Sequence, residues 1–422
     1  MQNSESYYKP ERKFHNPPTP INEGEGIGGL LSNHVWERDP AAMEGVKPMF
    51  STIGTLFRAT TFGESHARGV GVVIDGCPPK LSLTEEEIQR QLDRRRPGQS
   101  RLATERNESD RVAILSGTEN GLTLGTPIGL LVLNKDHRPA DYEHLSRIPR
   151  PSHADVTYQA KYGIRAASGG GRSSARETIG RVAAGAVAEK FLRERHGVEI
   201  VAWVSAVGEI DAPEADAQGI DRAAVDQTVV RCPHAETAQR MIAEIERVRE
   251  AADSVGGVVT CVCRNVPAGL GEPVFGKAEA LLALAMLSIP ATKGFEIGSG
   301  FAGARMRGSA HNDPFVLKAG RLGTLTNRSG GVQGGITNGE DVVARVAVKP
   351  ISTLMRPLDT VDVRTKAPAK AMVERADICV VPAVAVIAEA VAATVFTDAF
   401  LRKFGGDKPG FKKPHRKGPS ND

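Results

Sequence analysis

The run Ser168-Gly-Gly-Gly-Arg-Ser-Ser-Ala-Arg-Glu-Thr178 constrains this chain more than any other stretch. Gly169, Gly170 and Gly171 carry no Cβ, so a ligand can approach the backbone closely there. Ser174, with Glu177 three residues on, reads as a capping box. From Ile179 the apolar positions Val182, Ala183, Val187, Phe191 and Leu192 recur at helical spacing until Gly197 stops them. The run therefore predicts a Gly-rich loop feeding a long helix. Unpaired N–H groups at that helix start, with Arg172 and Arg176 beside them, would make an anion site. A Gly-rich loop before a helix is often only a connection, but Arg150, His153 and Arg172 nearby favour a ligand site.

Upstream, the pattern is one of paired strands. Leu56 to Phe62 alternates as a strand does, Gly63-Glu-Ser-His breaks it, and Val70 to Asp75 resumes it, which sets His66 in a turn. Thr84 with Glu87 is a second capping box, opening a helix to about Arg94. Strands follow at 112–117 and 128–133. Beyond the central helix, 199–208, 255–263 and 342–348 read as strands, and 235–253, 278–287 and about 384–402 as helices, the last closing the core. Strand, strand, helix is not the βαβ alternation of a doubly wound sheet. It predicts an α+β fold of antiparallel sheets flanked by helices.

The 422 residues, 40% hydrophobic, suffice for one large core or two smaller ones. Residues 1–50 show no apolar period and 404–422 are basic and rich in Gly and Pro, so both read as disordered appendages. No apolar run nears the roughly 20 residues of a membrane helix, 378–393 being interrupted by Pro and Glu. The N-terminus also lacks a signal peptide's apolar core, so a cytoplasmic protein without a membrane partner is expected. Five cysteines form no Cys-x-x-Cys pair, and Cys261 and Cys263 point to one face of a strand, which fits core packing and predicts no metal site. A net charge of +4 and 5% aromatic residues leave no footprint for nucleic acid.

The basic residues are clustered instead. Arg94, Arg95, Arg96, Arg101 and Arg106 fall within thirteen residues, more than a helix dipole requires. Guanidinium's planar fork suits phosphate and carboxylate. His66, His137 and His153 all sit in loops. A second Gly-rich loop, Gly330 to Gly335, precedes a strand that ends in Lys349-Pro-Ile-Ser-Thr353, a lysine with hydroxyls able to meet phosphate. Neither a dinucleotide fingerprint nor a Walker A loop is present. From these residues alone, a catalytic site and a non-catalytic phosphoanion-binding protein both stay open.

Taken together, Thr61-Phe-Gly-Glu-Ser-His66, Arg94-Arg-Arg-Pro-Gly-Gln-Ser-Arg101, Arg150-Pro-Ser-His-Ala-Asp155, the Gly169 to Thr178 run, Gly330 to Gly335, Lys349 to Thr353 and Arg375-Ala-Asp377 resemble the chorismate synthase family, in unbroken order over about 52–403. The resemblance implies a single large domain over 51–403, a β-α-β sandwich assembled as a homotetramer. It implies trans-1,4-elimination of phosphate from 5-enolpyruvylshikimate 3-phosphate, giving chorismate, with reduced FMN required and no net redox change. His66 would then be a general acid near the departing phosphate, His153 a partner of the reduced flavin, and Asp377 the acceptor of the ring proton. Substrate or NADP would meet Arg95, Arg101 and Arg150. Flavin would meet Arg172, Ser173, Ser174, Pro290, Ala291, Gly334, Lys349, Pro350, Ile351, Ser352, Thr353 and Arg375. The chemistry suits these types, because the ligands are anionic and histidine titrates near working pH. Pro290 departs from the family's frequent Asn, and Ala67 from its usual Gly. NADPH or an external reductant as the electron source stays open, as does an FMN-dependent oxidoreductase that consumes its reductant.

Overall fold

A computed structural model of the chain describes residues 50–96, 109–134, 147–164, 166, 170–214, 219–373 and 377–405. Almost all of both appendages, and Arg101, Arg106, His137 and Arg375, lie outside these residues. One five-stranded sheet is built from Thr52–Ile53 (β1), Arg58–Gly63 (β2), Gly69–Asp75 (β3), Val112–Ile114 (β4) and Ile128–Leu133 (β5). Its order is β1-β2-β3-β5-β4 with antiparallel pairings throughout. Val70, Val72 and Ile74 of β3 face the core while Val73 between them is exposed, as a half-buried strand requires.

The other five-stranded sheet comprises Glu199–Val207 (β6), Ile210–Asp211 (β7), Gly257–Arg264 (β8), Thr292–Ile297 (β9) and Val342–Val348 (β10), in the antiparallel order β9-β10-β8-β6-β7. Cys261 and Cys263 share its main-core face, whereas Val262 packs on the opposite face with Val201 and Trp203. Burial on both faces explains why β6 and β8 read as continuous apolar runs.

Between the sheets lies a layer of helices. The longer helices among the described residues are Glu85–Arg95 (α1), Asp155–Tyr162 (α2), Thr178–His196 (α3), Ala235–Glu250 (α4), Ala278–Leu287 (α5) and Val381–Phe404 (α6), of which α1, α3, α5 and α6 pack together in that layer. The sheet holding β3 packs on α3, the sheet holding β6 and β8 packs on α6, and α3 and α6 pack on each other. The result is the α+β fold of antiparallel sheets that the strand and helix order predicts, arranged as the β-α-β sandwich that the resemblance implies. Gly185 permits the tight crossing of the two helices, since a Cβ there would lie 2.4 Å from Ala390 Cα.

Two local expectations are corrected. Val381–Phe404 is long and apolar enough to cross a membrane, at 24 residues with an 18-residue window of mean hydropathy 1.8, although the sequence suggested an interrupted run. Pro382 falls in its first turn, where a missing N–H breaks no helical bond, and Glu389 is held by arginines. Its apolar window is fully buried, so in this fold it is the core helix. At the other capping box, Thr84 Oγ1 accepts from Glu87 N and Thr84 N donates back to Glu87 Oε2, as expected. Ser174 and Glu177 form no such box. Ser174 Oγ accepts from Arg176 N, Glu177 pairs with Arg181, and 3₁₀ turns over Gly171–Ser173 and Ala175–Glu177 precede α3. Those turns consume the N–H groups of Ser173, Ser174 and Glu177, which removes them from the anion site the sequence suggested.

Candidate active site

Several chain segments that the fold brings together enclose a cavity of about 890 Å³. Its walls come from the turn after β2, the end of α1, the start of α3, the segments beside β9 and β10, and the start of α6. His66 projects from the β2–β3 turn predicted for it. That turn is braced by Asn134, whose Nδ2 donates to Glu64 O and Ala67 O at 3.0 and 2.7 Å. Ala67 does not take a positive φ, so losing the glycine introduces no left-handed strain there.

His153, Arg150 and Asp155 form a closed unit. Arg150 grips Asp155 with Nε and a terminal nitrogen at 2.9 and 2.8 Å, the bidentate geometry that matches a carboxylate. His153 Nδ1 lies 2.9 Å from Asp155 Oδ1. Burial by itself would raise the Asp155 pKa, but the hydrogen bonds from Arg150 and His153 outweigh it and hold the carboxyl far below its usual range. Nδ1 also lies 3.0 Å from a terminal nitrogen of Arg150, so both contacts of the ring fall on Nδ1 and Nε2 is left to meet a ligand. Among the cationic groups, Lys349 has a lowered pKa because of burial and nearby Lys293. Burial pushes the Cys379 thiol up to about 12, so this wall residue is neutral.

The cavity gathers most of the residues singled out in the sequence. His66, His153 and Asp377 line it, with Arg95 and Arg150. So do Ser173, Ser174, Pro290 and Ala291, and Lys349, Ile351, Ser352 and Thr353. Arg172 is not on this wall: its guanidinium donates to Thr61 O, Thr61 Oγ1 and Gly63 O, tying the α3 approach to β2. Gly334 turns the hairpin between 332–333 and 336–337, away from the wall, and Pro350 is off it too.

The wall also has residues the motifs did not single out. Ser65 is 2% exposed and its Oγ has no hydrogen-bond partner among the described residues. Its position beside His66 was the available signal. Arg231 and Asp226 come from a stretch that reads as irregular, where no periodicity marks them. Ser152, Arg231 and Ala291, all on the wall, hold positive φ without being glycine, and such backbone collects at functional sites.

The orphaned buried hydroxyl of Ser65, the hydroxyls of Ser173, Ser174, Ser352 and Thr353, a lysine, and an apolar side made by Ile289, Pro290, Ala291, Ile351 and Val380 fit a planar ring system carrying a phosphate tail. The volume is at the upper end of small-ligand pockets, about 300–1,000 Å³. Among the described residues, no group of three or more His, Cys, Asp and Glu could hold a metal ion.

A cavity combining guanidinium, imidazole and carboxylate groups on an α+β sandwich defines an enzyme for small, multiply anionic substrates. The chorismate synthase family profile matches residues 57–401. A chorismate synthase of Synechococcus sp. (strain WH7803) is 56% identical over 358 residues, 85% of this chain and 99% of that protein. One from Schizosaccharomyces pombe is 54% identical over 378 residues, 83% and 96% of the two chains. A crystal structure of chorismate synthase superposes with a TM-score of 0.66 at 33% identity, covering 84% of this chain and 94% of that one. The chain belongs to the chorismate synthase family, and is a carbon–oxygen lyase of aromatic amino acid biosynthesis.

Proposed function

We propose that the cavity holds reduced FMN beside 5-enolpyruvylshikimate 3-phosphate and eliminates phosphate in the trans-1,4 sense to give chorismate. The observation that carries this reading is the convergence of His66, His153 and Asp377 on one cavity with Arg95, Arg150 and Lys349. Reduced FMN held by the hydroxyls, Lys349 and the apolar side of this wall would supply an electron-rich ring that offsets charge during the elimination with no net consumption of reductant. The chain's own groups do the rest. Arg95 and Arg150, permanently charged, neutralise the phosphate and carboxylates. His66 gives a proton to the departing phosphate oxygen. His153, fixed through Nδ1 by Asp155, turns Nε2 to the flavin. Asp377 receives the proton lost from the ring carbon.

Ser173, Ser174, Pro290, Ala291, Lys349, Ile351, Ser352 and Thr353 would contact the flavin, a role supported by their places on the wall. Arg172, Gly334, Pro350 and Arg375 carry the same expectation from the resemblance alone, as does Arg101 for substrate or NADP. The 51–403 catalytic unit rests on the resemblance too, and a cytoplasmic location is proposed with it. A homotetramer is further supported by the hairpin Phe315–Lys318 and Arg321–Thr324, whose Phe315, Leu317 and Leu322 are 65, 78 and 69% exposed.

An anaerobic assay with substrate and dithionite-reduced FMN tests the proposal. Equal phosphate and chorismate, many turnovers per flavin, and no product with oxidised FMN are expected. Product in proportion to reductant consumed would indicate an oxidoreductase instead. FMN binding without product would reduce the site to a binding one.

A further inference from the structure

Asp110 is 2% exposed and is absent from the cavity wall, yet its carboxylate reaches two residues that are on it. Oδ2 accepts from a terminal nitrogen of Arg95 at 3.1 Å, and Oδ1 lies 3.1 Å from a terminal nitrogen of Arg176. Arg95 ends α1 and Arg176 precedes α3, so one buried carboxylate joins two elements that are far apart in sequence. The other groups of both arginines extend the network. A second terminal nitrogen of Arg95 donates to Thr178 Oγ1 at the first residue of α3. Arg176 Nε donates to Asn134 Oδ1, and Asn134 is the residue that holds Glu64 O and Ala67 O on either side of His66.

The backbone at Asp110 is itself held in place. Its φ is +40°, in the left-handed region that side chains other than Gly, Asn and Asp rarely enter. Gln89 clamps it from α1: Nε2 donates to Asp110 O at 3.2 Å, and Oε1 accepts from Val112 N at 3.0 Å. A surface loop has no need of this arrangement. Here it sets one carboxylate between two guanidinium groups, hydrogen-bonded to Arg95 through Oδ2 and in ion-pair contact with Arg176 through Oδ1.

We infer that Asp110 is a positioning residue for the elimination: it fixes the guanidinium planes of Arg95 and Arg176 toward the cavity, and through Asn134 ties them to the His66 turn. The inference rests on the proposed role of Arg95 as a substrate contact. A guanidinium binds phosphate or carboxylate well only when its fork is aimed, and a long side chain with several rotamers is not aimed unless something holds it. Asp110 would therefore act on substrate binding without touching substrate.

The test is Asp110→Asn in the full chain, with Asp110→Glu beside it. Asn tolerates the left-handed backbone and keeps the shape but drops the charge, while Glu keeps the charge, displaces it by one methylene and strains the backbone, so its unfolding midpoint is expected to fall as its KM rises. Both are expected to raise KM for the phosphorylated substrate about tenfold or more, with kcat and the flavin Kd changed less than about threefold. Asn134→Ala, at the other end, should lower kcat more than it raises KM, because it loosens the His66 turn. A purely structural role predicts a lower unfolding midpoint with unchanged KM in the protein that remains folded, and that result in either Asp110 variant overturns the inference. Arg95→Lys in parallel separates the two readings. If it leaves KM unchanged, the role of Arg95 fails; if it raises KM while the Asp110 variants do not, only the positioning role fails.

Discussion

Arg94 and Arg95 are neighbours at the end of α1 and belong to two different clusters. Arg94 and its partner Asp226 also border the cavity, but the Arg94 guanidinium is taken up by carboxylates of the helix layer, where Nε pairs with Asp226 at 2.7 Å and a terminal nitrogen with Glu389 at 2.6 Å. Glu389, 3% exposed in α6, also accepts from Ala202 N of β6 and pairs with Arg222 at 3.1 Å. Burial alone would lower the Arg94 pKa, but Glu389 and Asp226 raise it, so the guanidinium is held charged by carboxylates of its own chain. Arg95 and Arg150 lie in the other cluster, where Asp110 and Asp155 hold them on the cavity wall. Both clusters pair arginine with carboxylate. The Arg94 cluster joins α1, α6 and β6, and its loss should appear as stability. The cavity cluster presents aimed cations and imidazoles to a ligand, and its loss should appear as rate or KM.

The largest expected effect lies on the cavity side. His66→Ala should lower kcat by about 10²–10⁴, the usual worth of a positioned acid or base, and shift stability by no more than about 0.5 kcal/mol because His66 sits in a turn. Steady-state rates and a urea titration on one preparation check both halves. A variant that loses both equally would put His66 in the structural class.

On the other side, Glu389→Ala strands Arg94 and Arg222 without the carboxylate they share. Breaking a buried pair from one side costs about 3–5 kcal/mol, so the urea midpoint should drop sharply. The folded fraction should keep kcat/KM within about threefold. Full stability in this variant would contradict the structural role given to the cluster.

A smaller effect sharpens the comparison with a titratable group that has aromatic neighbours. The His196 ring lies 3.7 Å from Phe400 and 5.2 Å from Phe191. Burial, then nearby Arg195, lowers its pKa from 6.5 to about 4. The fold thus favours neutral imidazole. Its contribution is fully present above pH 6.5 and is lost as pH falls from there to 4. Since the ring is only half buried, about 1 kcal/mol is expected rather than the full linkage value. His196→Gln should flatten that part of a melting-temperature profile, and an unchanged slope would remove His196 as its source.

How much of this was legible in the sequence follows from the same physics. The long elements were readable because their periods are local: Ala278–Leu287 and Ile128–Leu133 fall where the apolar pattern puts them, and Gly197 ends α3 in the left-handed conformation. The cavity was readable through motifs around His66, His153 and Lys349. What stayed hidden depends on partners distant in sequence. Nothing near Arg94 or Arg95 says which will meet Glu389, 295 residues away. Arg172 stands in the Gly-rich run like a ligand-binding group, yet its fork goes to the backbone of β2. Ser174 and Glu177 have capping-box spacing, but the tight turns before α3 take their backbone bonds first. Asp110 lies in an irregular stretch with no period to mark it.

The most direct test of the division between the clusters is the pair Arg94→Lys and Arg95→Lys, each measured for urea midpoint and for kcat/KM with the phosphorylated substrate. Lysine keeps the charge and loses the fork, so it removes what distinguishes each arginine. Arg94→Lys is expected to lower the midpoint while the folded enzyme keeps kcat/KM, and Arg95→Lys to lower kcat/KM about tenfold or more with a smaller change in midpoint. If the two variants instead show the same loss in both measurements, the neighbouring arginines do not serve separate clusters and the account is wrong.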